Sequence, residues 1–240
     1  YFFGANGVRR TGWQKIWGKW YYLDENGVMQ TGWQKIKGVW YYFGGASDGA
    51  MKTGWQQVYG KWYYLGKEND GAMKYYWQKI DGKYYWLGHG NDGAMKTYWQ
   101  KVNNAYYFLG SDGIMRTGWQ SIWGKWYYLN SSGAMLTGWQ KIDNNWYLLQ
   151  SNGARIEGWY TNGKNRYYLM PLTGVMQKYW FSVDGKWYYA NYSGVLQTGW
   201  VTSNGKTYYL DESGVMQTGL KLIDKKWYVF SASGELMGSN

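Results

Sequence analysis

A pattern close to TGWQKIxGKWYYLxxxGxM recurs through all 240 residues, and so short a period excludes most ways in which a chain of this length can fold. Its leading aromatic falls at Trp13, Trp33, Trp55, Trp77, Trp99, Trp119, Trp139, Trp159, Trp180 and Trp200, every 20 to 22 residues, with Leu220 in the last copy. A glycine ahead of a Val/Ala–Met step keeps the same rhythm, as at Gly27, Gly49, Gly71 and Gly133. A quasi-one-dimensional array is the form such a chain takes, each unit touching mainly its neighbours. The expectation is one array over residues 1–240, a partial repeat at 1–10 followed by eleven full ones. The opening YFFGANGV matches the second half of a repeat, so the chain is expected to be a fragment of a longer protein.

Each copy carries a two-residue turn signal between β-rich segments, such as Asp81-Gly82, Asp184-Gly185, Asn204-Gly205 and, with a ring in first place, Trp123-Gly124. Each repeat is therefore predicted to be a β-hairpin followed by a glycine-containing connection. If Ile122 pairs with Lys125, then Trp119 faces Tyr128, and Trp119, Trp126 and Tyr128 share one face while Ile122, Tyr127 and Leu129 share the other. A hairpin with two ring-bearing faces has no core and cannot stand alone in water. Stacking on the next copy supplies one, which predicts an all-β fold, a β-solenoid of stacked hairpins. With 22% aromatic residues, its core is expected to be made largely of rings.

Two tryptophans on one face recur with a methionine downstream: Trp13, Trp20 and Met29; Trp33, Trp40 and Met51; Trp55, Trp62 and Met73; Trp119, Trp126 and Met135. Packing alone would accept Leu, Ile or Phe there. Two indoles and a thioether make a cage for a cation whose charge is spread over methyl groups, because indole has the most favourable ring face and Met offers a soft wall. Sugar stacking competes for the same rings, and Gln120 and its equivalents could serve hydroxyls; the recurring Met is of less use to a sugar.

The remaining composition narrows the function. Zero cysteines exclude disulfides and thiolate metal sites, and no cofactor or metal is expected. The lone histidine, His89, lies in a GHGNDG connection, and no carboxylate pair stands out as an acid and base on rigid elements, which argues against catalysis within the chain. A net charge of +11 favours polyanionic partners, but the lysines are spread one or two per repeat, unlike a nucleic-acid patch. No apolar run approaches the length of a membrane span, and no insertion is expected.

The stretch TGWQKIWGKWYYLDENGVMQTGW, residues 11 to 33, resembles the choline-binding repeats of surface proteins from pneumococci, related streptococci and their phages. The resemblance covers essentially the whole chain. It implies a left-handed superhelix of hairpins, with choline held between consecutive hairpins by two aromatics of one repeat, one of the next, and often a Met. Carried over by position, the sites are Trp13, Trp20, Met29 and Tyr41; Trp33, Trp40, Met51 and Tyr63; Trp55, Trp62, Met73 and Tyr85; Trp77, Tyr84, Met95 and Tyr107; Trp99, Tyr106, Met115 and Tyr127; Trp119, Trp126, Met135 and Tyr147; and Trp180, Trp187 and Tyr208. In the first site Tyr41 and Tyr42 are both candidates for the third ring; the face argument favours Tyr41. The implied protein is secreted and held non-covalently at the bacterial surface by phosphocholine on teichoic or lipoteichoic acid. A homodimer is one assembly open to it. An α-glucan-binding array and a spacer or dimerization arm are the alternatives.

Departures from the pattern carry expectations of their own. Arg155 replaces Met in the group of Trp139 and Trp146, where a guanidinium should repel a bound cation. Arg166 and Thr207 replace the second aromatic after Trp159 and Trp200, so those sites are expected to be weak or empty, and Leu196 makes the group of Trp180 and Trp187 intermediate. Tyr76, Tyr98 and Tyr179 stand where TGW has glycine.

Overall fold

The computed structural model describes residues 1–239. Among them the regular structure is all strand. The strands are β1 (Gly12–Ile16), β2 (Lys19–Leu23), β3 (Gly32–Ile36), β4 (Val39–Phe43), β5 (Gly54–Val58), β6 (Lys61–Leu65), β7 (Trp77–Ile80), β8 (Lys83–Trp86), β9 (Tyr98–Val102), β10 (Ala105–Leu109), β11 (Gly118–Ile122) and β12 (Lys125–Leu129). They continue with β13 (Gly138–Ile142), β14 (Asn145–Leu149), β15 (Gly158–Asn162), β16 (Asn165–Leu169), β17 (Tyr179–Val183), β18 (Lys186–Ala190), β19 (Gly199–Ser203), β20 (Lys206–Leu210), β21 (Gly219–Ile223), β22 (Lys226–Phe230) and β23 (Leu236–Ser239). Each odd strand pairs with the even strand after it as a two-stranded antiparallel hairpin, and β23 adds a third strand to β21–β22. The register is the one the turns imply: Ile16 faces Lys19 and Trp13 faces Tyr22, and the same pairing recurs at Ile36 and Val39 and at Trp33 and Tyr42.

Turn chemistry sets that register. Trp17 (φ 48°) and Gly18 (φ 80°) are both left-handed, as a two-residue turn matched to strand twist requires. Glycine adopts this without strain, whereas a tryptophan does not, and Trp17 is 97% exposed, so no packing repays the cost. Trp17→Asn is therefore expected to stabilise the fold by up to about 1 kcal/mol, since asparagine tolerates the conformation; a rise in the urea midpoint checks it. Tyr76, Tyr98 and Tyr179 likewise take over the left-handed backbone of the glycine they replace, at φ 62°, 60° and 58°.

Each connection turns back rather than forward. After β2 the Asp24 carboxylate accepts hydrogen bonds from the backbone of Asn26 and Val28, closing a tight turn, and Met29 then bridges Leu23 of its own hairpin. One repeat later, Met51 bridges Phe43 while its N–H donates to the carbonyl of Trp20, 2.7 Å away on the preceding hairpin. The same link runs from Met73 to Trp40, Met95 to Trp62 and Met115 to Tyr84. Repeats are thus joined by backbone hydrogen bonds as well as by side chains. Glycine is needed where the next connection crosses a methionine: a Cβ on Gly71 (φ 59°) would lie 2.3 Å from the sulfur of Met51.

Two compact units divide the chain, residues 1–118 with 129–135 and residues 119–128 with 136–240. In the first, Phe43, Leu65, Leu87, Leu109 and Leu129 are completely buried; in the second, Leu149, Leu169 and Leu210 are. Most of these end the second strand of a hairpin. The innermost positions are thus nearly all aliphatic, which corrects the expectation of a core made largely of rings. Some rings, such as Phe43, Trp86 and Phe230, are buried as well, while most of the tryptophans stay half-buried or exposed.

Candidate functional site

On the hairpins of Trp13, Trp33, Trp55, Trp77, Trp139 and Trp180 the first strand's tryptophan and the second strand's aromatic project from one face, and a tyrosine of the following hairpin closes over them. Trp13 and Trp20 stand edge to face at 6.2 Å, with Tyr41 at 4.9 Å from Trp13. Trp33 and Trp40 repeat this at 6.4 Å, with Tyr63 at 4.9 Å. Tyr85 lies 5.0 Å from Trp55, Tyr107 5.0 Å from Trp77 and Tyr208 4.6 Å from Trp180. Tyr42 instead faces Trp33 on its own hairpin, 5.1 Å away, because strand alternation sends neighbouring tyrosines to opposite faces. Tyr128 likewise stays with Trp119 of its own hairpin, at 5.1 Å.

The methionine comes from one repeat further on than the sequence suggested. Met51, not Met29, lines the cleft of Trp13, Trp20 and Tyr41; Met95, not Met73, lines that of Trp55, Trp62 and Tyr85. By the same backbone link Met73, not Met51, reaches Trp40; Met115, not Met95, reaches Tyr84; and Met135, not Met115, reaches Tyr106. The connection after a hairpin folds back across the hairpin before it, so nearness in sequence misassigns the residue. Of the group Trp99, Tyr106, Met115 and Tyr127, Tyr127 lies in the second unit and the other three in the first.

This shift reverses several expectations in the second unit. Trp139 and Trp146 meet Tyr167 and Met176 in an open cleft of about 410 Å³, so Arg155 does not block them. Trp180, Trp187 and Tyr208 meet Met216 rather than Leu196 in a cleft of about 350 Å³, which makes that group complete. Arg155, not Met135, stands with Trp119, Trp126 and Tyr147, its guanidinium 5.4 and 5.5 Å from the two indoles. Arg166 lies 4.6 Å over Trp159, in the place where the other hairpins carry their second aromatic. At Trp200, with Tyr228 at 4.8 Å, Thr207 leaves one wall missing.

A rim supplied two repeats on was absent from the sequence reading. Asn69 and Asp70 edge the first cleft, and the Asn69 side-chain oxygen accepts from the Trp20 indole N–H at 2.9 Å. Ser111 and Asp112 edge that of Trp55, Tyr192 and Ser193 that of Trp139, and Ala232 and Ser233 that of Trp180. Burial pushes the Tyr85 hydroxyl up from its ordinary value, with Asp112 adding to it, and Tyr63 is raised by burial and then Asp92. Burial would raise the Asp112 carboxyl too, but the Ile114 N–H and Arg116 together outweigh it and hold it below the ordinary range. Asp112 is therefore ionised at neutral pH and adds negative potential at the mouth of the cleft of Trp55. The glutamines are committed elsewhere: the amide nitrogens of Gln34, Gln56, Gln100 and Gln140 donate to the carbonyls of Thr31, Thr53, Thr97 and Thr137 at 2.7 to 2.9 Å.

Residues 10–53, 30–77, 96–137, 136–178 and 197–240 match the family model described as choline-binding repeat, and 77–95 and 180–196 match a putative cell wall binding repeat. The chain belongs to the choline-binding repeat family. Among solved structures, this choline-binding chain is similar to CbpJ from Streptococcus pneumoniae TIGR4, at 30% identity over 94% of each chain and a TM-score of 0.73. It is similar as well to choline binding protein F from Streptococcus pneumoniae, at 31% identity over 95% of this chain and 93% of the other, TM-score 0.68. CbpF in complex with ipratropium matches at 30% identity, 95% and 93% coverage and TM-score 0.66. No curated protein matches in sequence. The protein is a choline-binding, cell-wall attachment module associated with the cell surface, built for binding rather than catalysis.

Proposed function

We propose that the open clefts are cages for the quaternary ammonium of choline, and that several act together on a polymer carrying phosphocholine, such as teichoic or lipoteichoic acid. The proposed sites are Trp13, Trp20, Tyr41 and Met51; Trp33, Trp40, Tyr63 and Met73; Trp55, Trp62, Tyr85 and Met95; Trp77, Tyr84, Tyr107 and Met115; Trp139, Trp146, Tyr167 and Met176; and Trp180, Trp187, Tyr208 and Met216. The observation that carries this reading is the recurrence of three ring faces and a methionine around one cleft, with the carboxylate of Asp70 or Asp112 at the rim of two of them. A trimethylammonium has no N–H to offer, so ring faces and a thioether satisfy it without hydrogen bonds. CbpF has been solved with ipratropium, a quaternary ammonium compound, which supports the same chemistry here. A secreted protein held at the surface in this way needs no covalent anchor. The glucan reading is less favoured because one amide N–H of each of Gln34, Gln56 and Gln140 already donates to a threonine carbonyl, which leaves fewer donors for sugar hydroxyls.

Desolvated cation–π contacts contribute up to about 2 kcal/mol each, so three rings less ordering costs give an affinity near millimolar, about 4 kcal/mol. Several such sites on one polymer raise avidity by roughly 10² to 10⁴. The expected result is retention on a choline-bearing resin, elution by free choline, and a change in tryptophan fluorescence at millimolar choline. Retention on dextran without retention on the choline resin would overturn the reading, and a spacer or dimerization arm would leave the fluorescence unmoved.

A further inference from the structure

We propose that the cage of Trp119, Trp126 and Tyr147 carries its own cation, Arg155, and is a permanent internal clamp rather than a choline site. The inference rests on the choline reading of the open cages and assigns this one a different role.

The rings are those of a complete site. Tyr147 lies 4.8 Å from Trp119, within the range of 4.6 to 5.0 Å of the third ring in the open clefts, and the Arg155 N–H donates to the Trp126 carbonyl at 2.8 Å, as Met51 does to Trp20. Where Met51 places a sulfur beside Gly71, the stem of Arg155 packs against Gly174, so it follows the methionine path and then turns its head onto the indoles. The side chain is only 6% exposed. Its charge is answered on the side away from the rings: Nη2 donates to the Glu157 carboxylate and, at 2.7 Å, to the Leu172 carbonyl, while the Leu172 N–H donates to Glu157 at 2.9 Å. Hydrogen bonding to Arg155 is the largest cause holding the Glu157 carboxyl below its ordinary range. The buried Nε has no hydrogen-bond partner, as befits a guanidinium whose remaining neighbours are aromatic faces.

A guanidinium fixed in this way does what bound choline would do in the other cages, joining one hairpin to the next across the two indoles. It does so at every choline concentration. A second cation would have to displace an ion pair and lie beside a like charge, and both oppose it. The clamp also ties the Leu172 connection to the array through Glu157. Ligand-dependent and ligand-independent contacts between repeats therefore coexist in one chain.

The test is a crystal of the full chain soaked in choline, with Arg155→Met beside it. In the wild type, choline is expected between Trp139 and Trp146 and not between Trp119 and Trp126. In Arg155→Met both cages fill, titration calorimetry counts one additional choline per chain, and the ligand-free variant unfolds at lower denaturant than the wild type, the difference closing at saturating choline. Choline seated on Trp119 and Trp126 of the wild type with Arg155 displaced overturns the proposal, as does a folded Arg155→Met that binds no additional choline. Should Arg155→Met fail to fold, the wild-type crystal decides alone. Choline absent from the Trp139 cage as well would overturn the choline reading, and the clamp would then stand or fall on the ligand-free stability of Arg155→Met.

Discussion

Leu109→Ala is expected to destabilise the protein by about 2–5 kcal/mol, the range for a fully buried leucine whose cavity cannot collapse. Leu109 is completely buried with Trp86 and Val102, under Trp77, Tyr107 and Met115. Backbone hydrogen bonds join the repeats on both sides of it, so the neighbouring hairpins have little freedom to close the gap. Three of the surrounding residues, Trp77, Tyr107 and Met115, belong with Tyr84 to one proposed cage, so looser packing there also weakens choline binding. Urea denaturation checks the first effect, as a lower midpoint with unchanged slope. A loss below about 1 kcal/mol would mean that the aliphatic positions contribute less than the half-buried rings.

Replacing the second indole of the cages has the larger effect on attachment. Trp62 is 42% exposed and Trp187 48% exposed, so Trp62→Ala or Trp187→Ala removes one wall of a cleft with little disturbance to the core. Each is expected to lower choline affinity at its own cage by roughly 10-fold, the loss of a contact contributing about 1–2 kcal/mol. With Trp20→Ala, Trp40→Ala and Trp146→Ala added, the avidity gain of roughly 10² to 10⁴ should disappear and retention on a choline resin with it. Circular dichroism verifies that the variant still folds, and the elution position reads the outcome. Undiminished retention would sink the cage reading.

The hairpins, their register and the face on which each ring stands were legible because all three depend on residues close in sequence. Trp17-Gly18 fixes a turn, the turn fixes that Trp13 faces Tyr22, and alternation then separates Tyr41 from Tyr42. Even the cross-hairpin partner of Trp13 could be read, since only one face of the next strand turns back toward it. The methionine could not. Met29 follows Trp13 and Trp20 in sequence and shares their period, yet it bridges Leu23 and leaves their cleft, and Met51 arrives there from the connection after the next hairpin. A repeat hides such a shift, because every copy offers a methionine and a misassignment by one unit looks the same along most of the chain.

It becomes visible only where the copies differ. Arg155 was expected to spoil the cage of Trp139 and Trp146; moved by one repeat, it leaves that cage open and fills that of Trp119 and Trp126. The rim residues Asn69 and Asp112 come from two repeats on, beyond any rule drawn within one unit or its neighbour. The sequence by itself determined the repeat, the hairpin and the ring-bearing face of each strand, because local backbone preferences and side-chain alternation act within about 20 residues. Only the tertiary structure decided which repeat completes each cage and which cage holds a cation of its own, because those depend on the direction in which a flexible connection folds back over its neighbours.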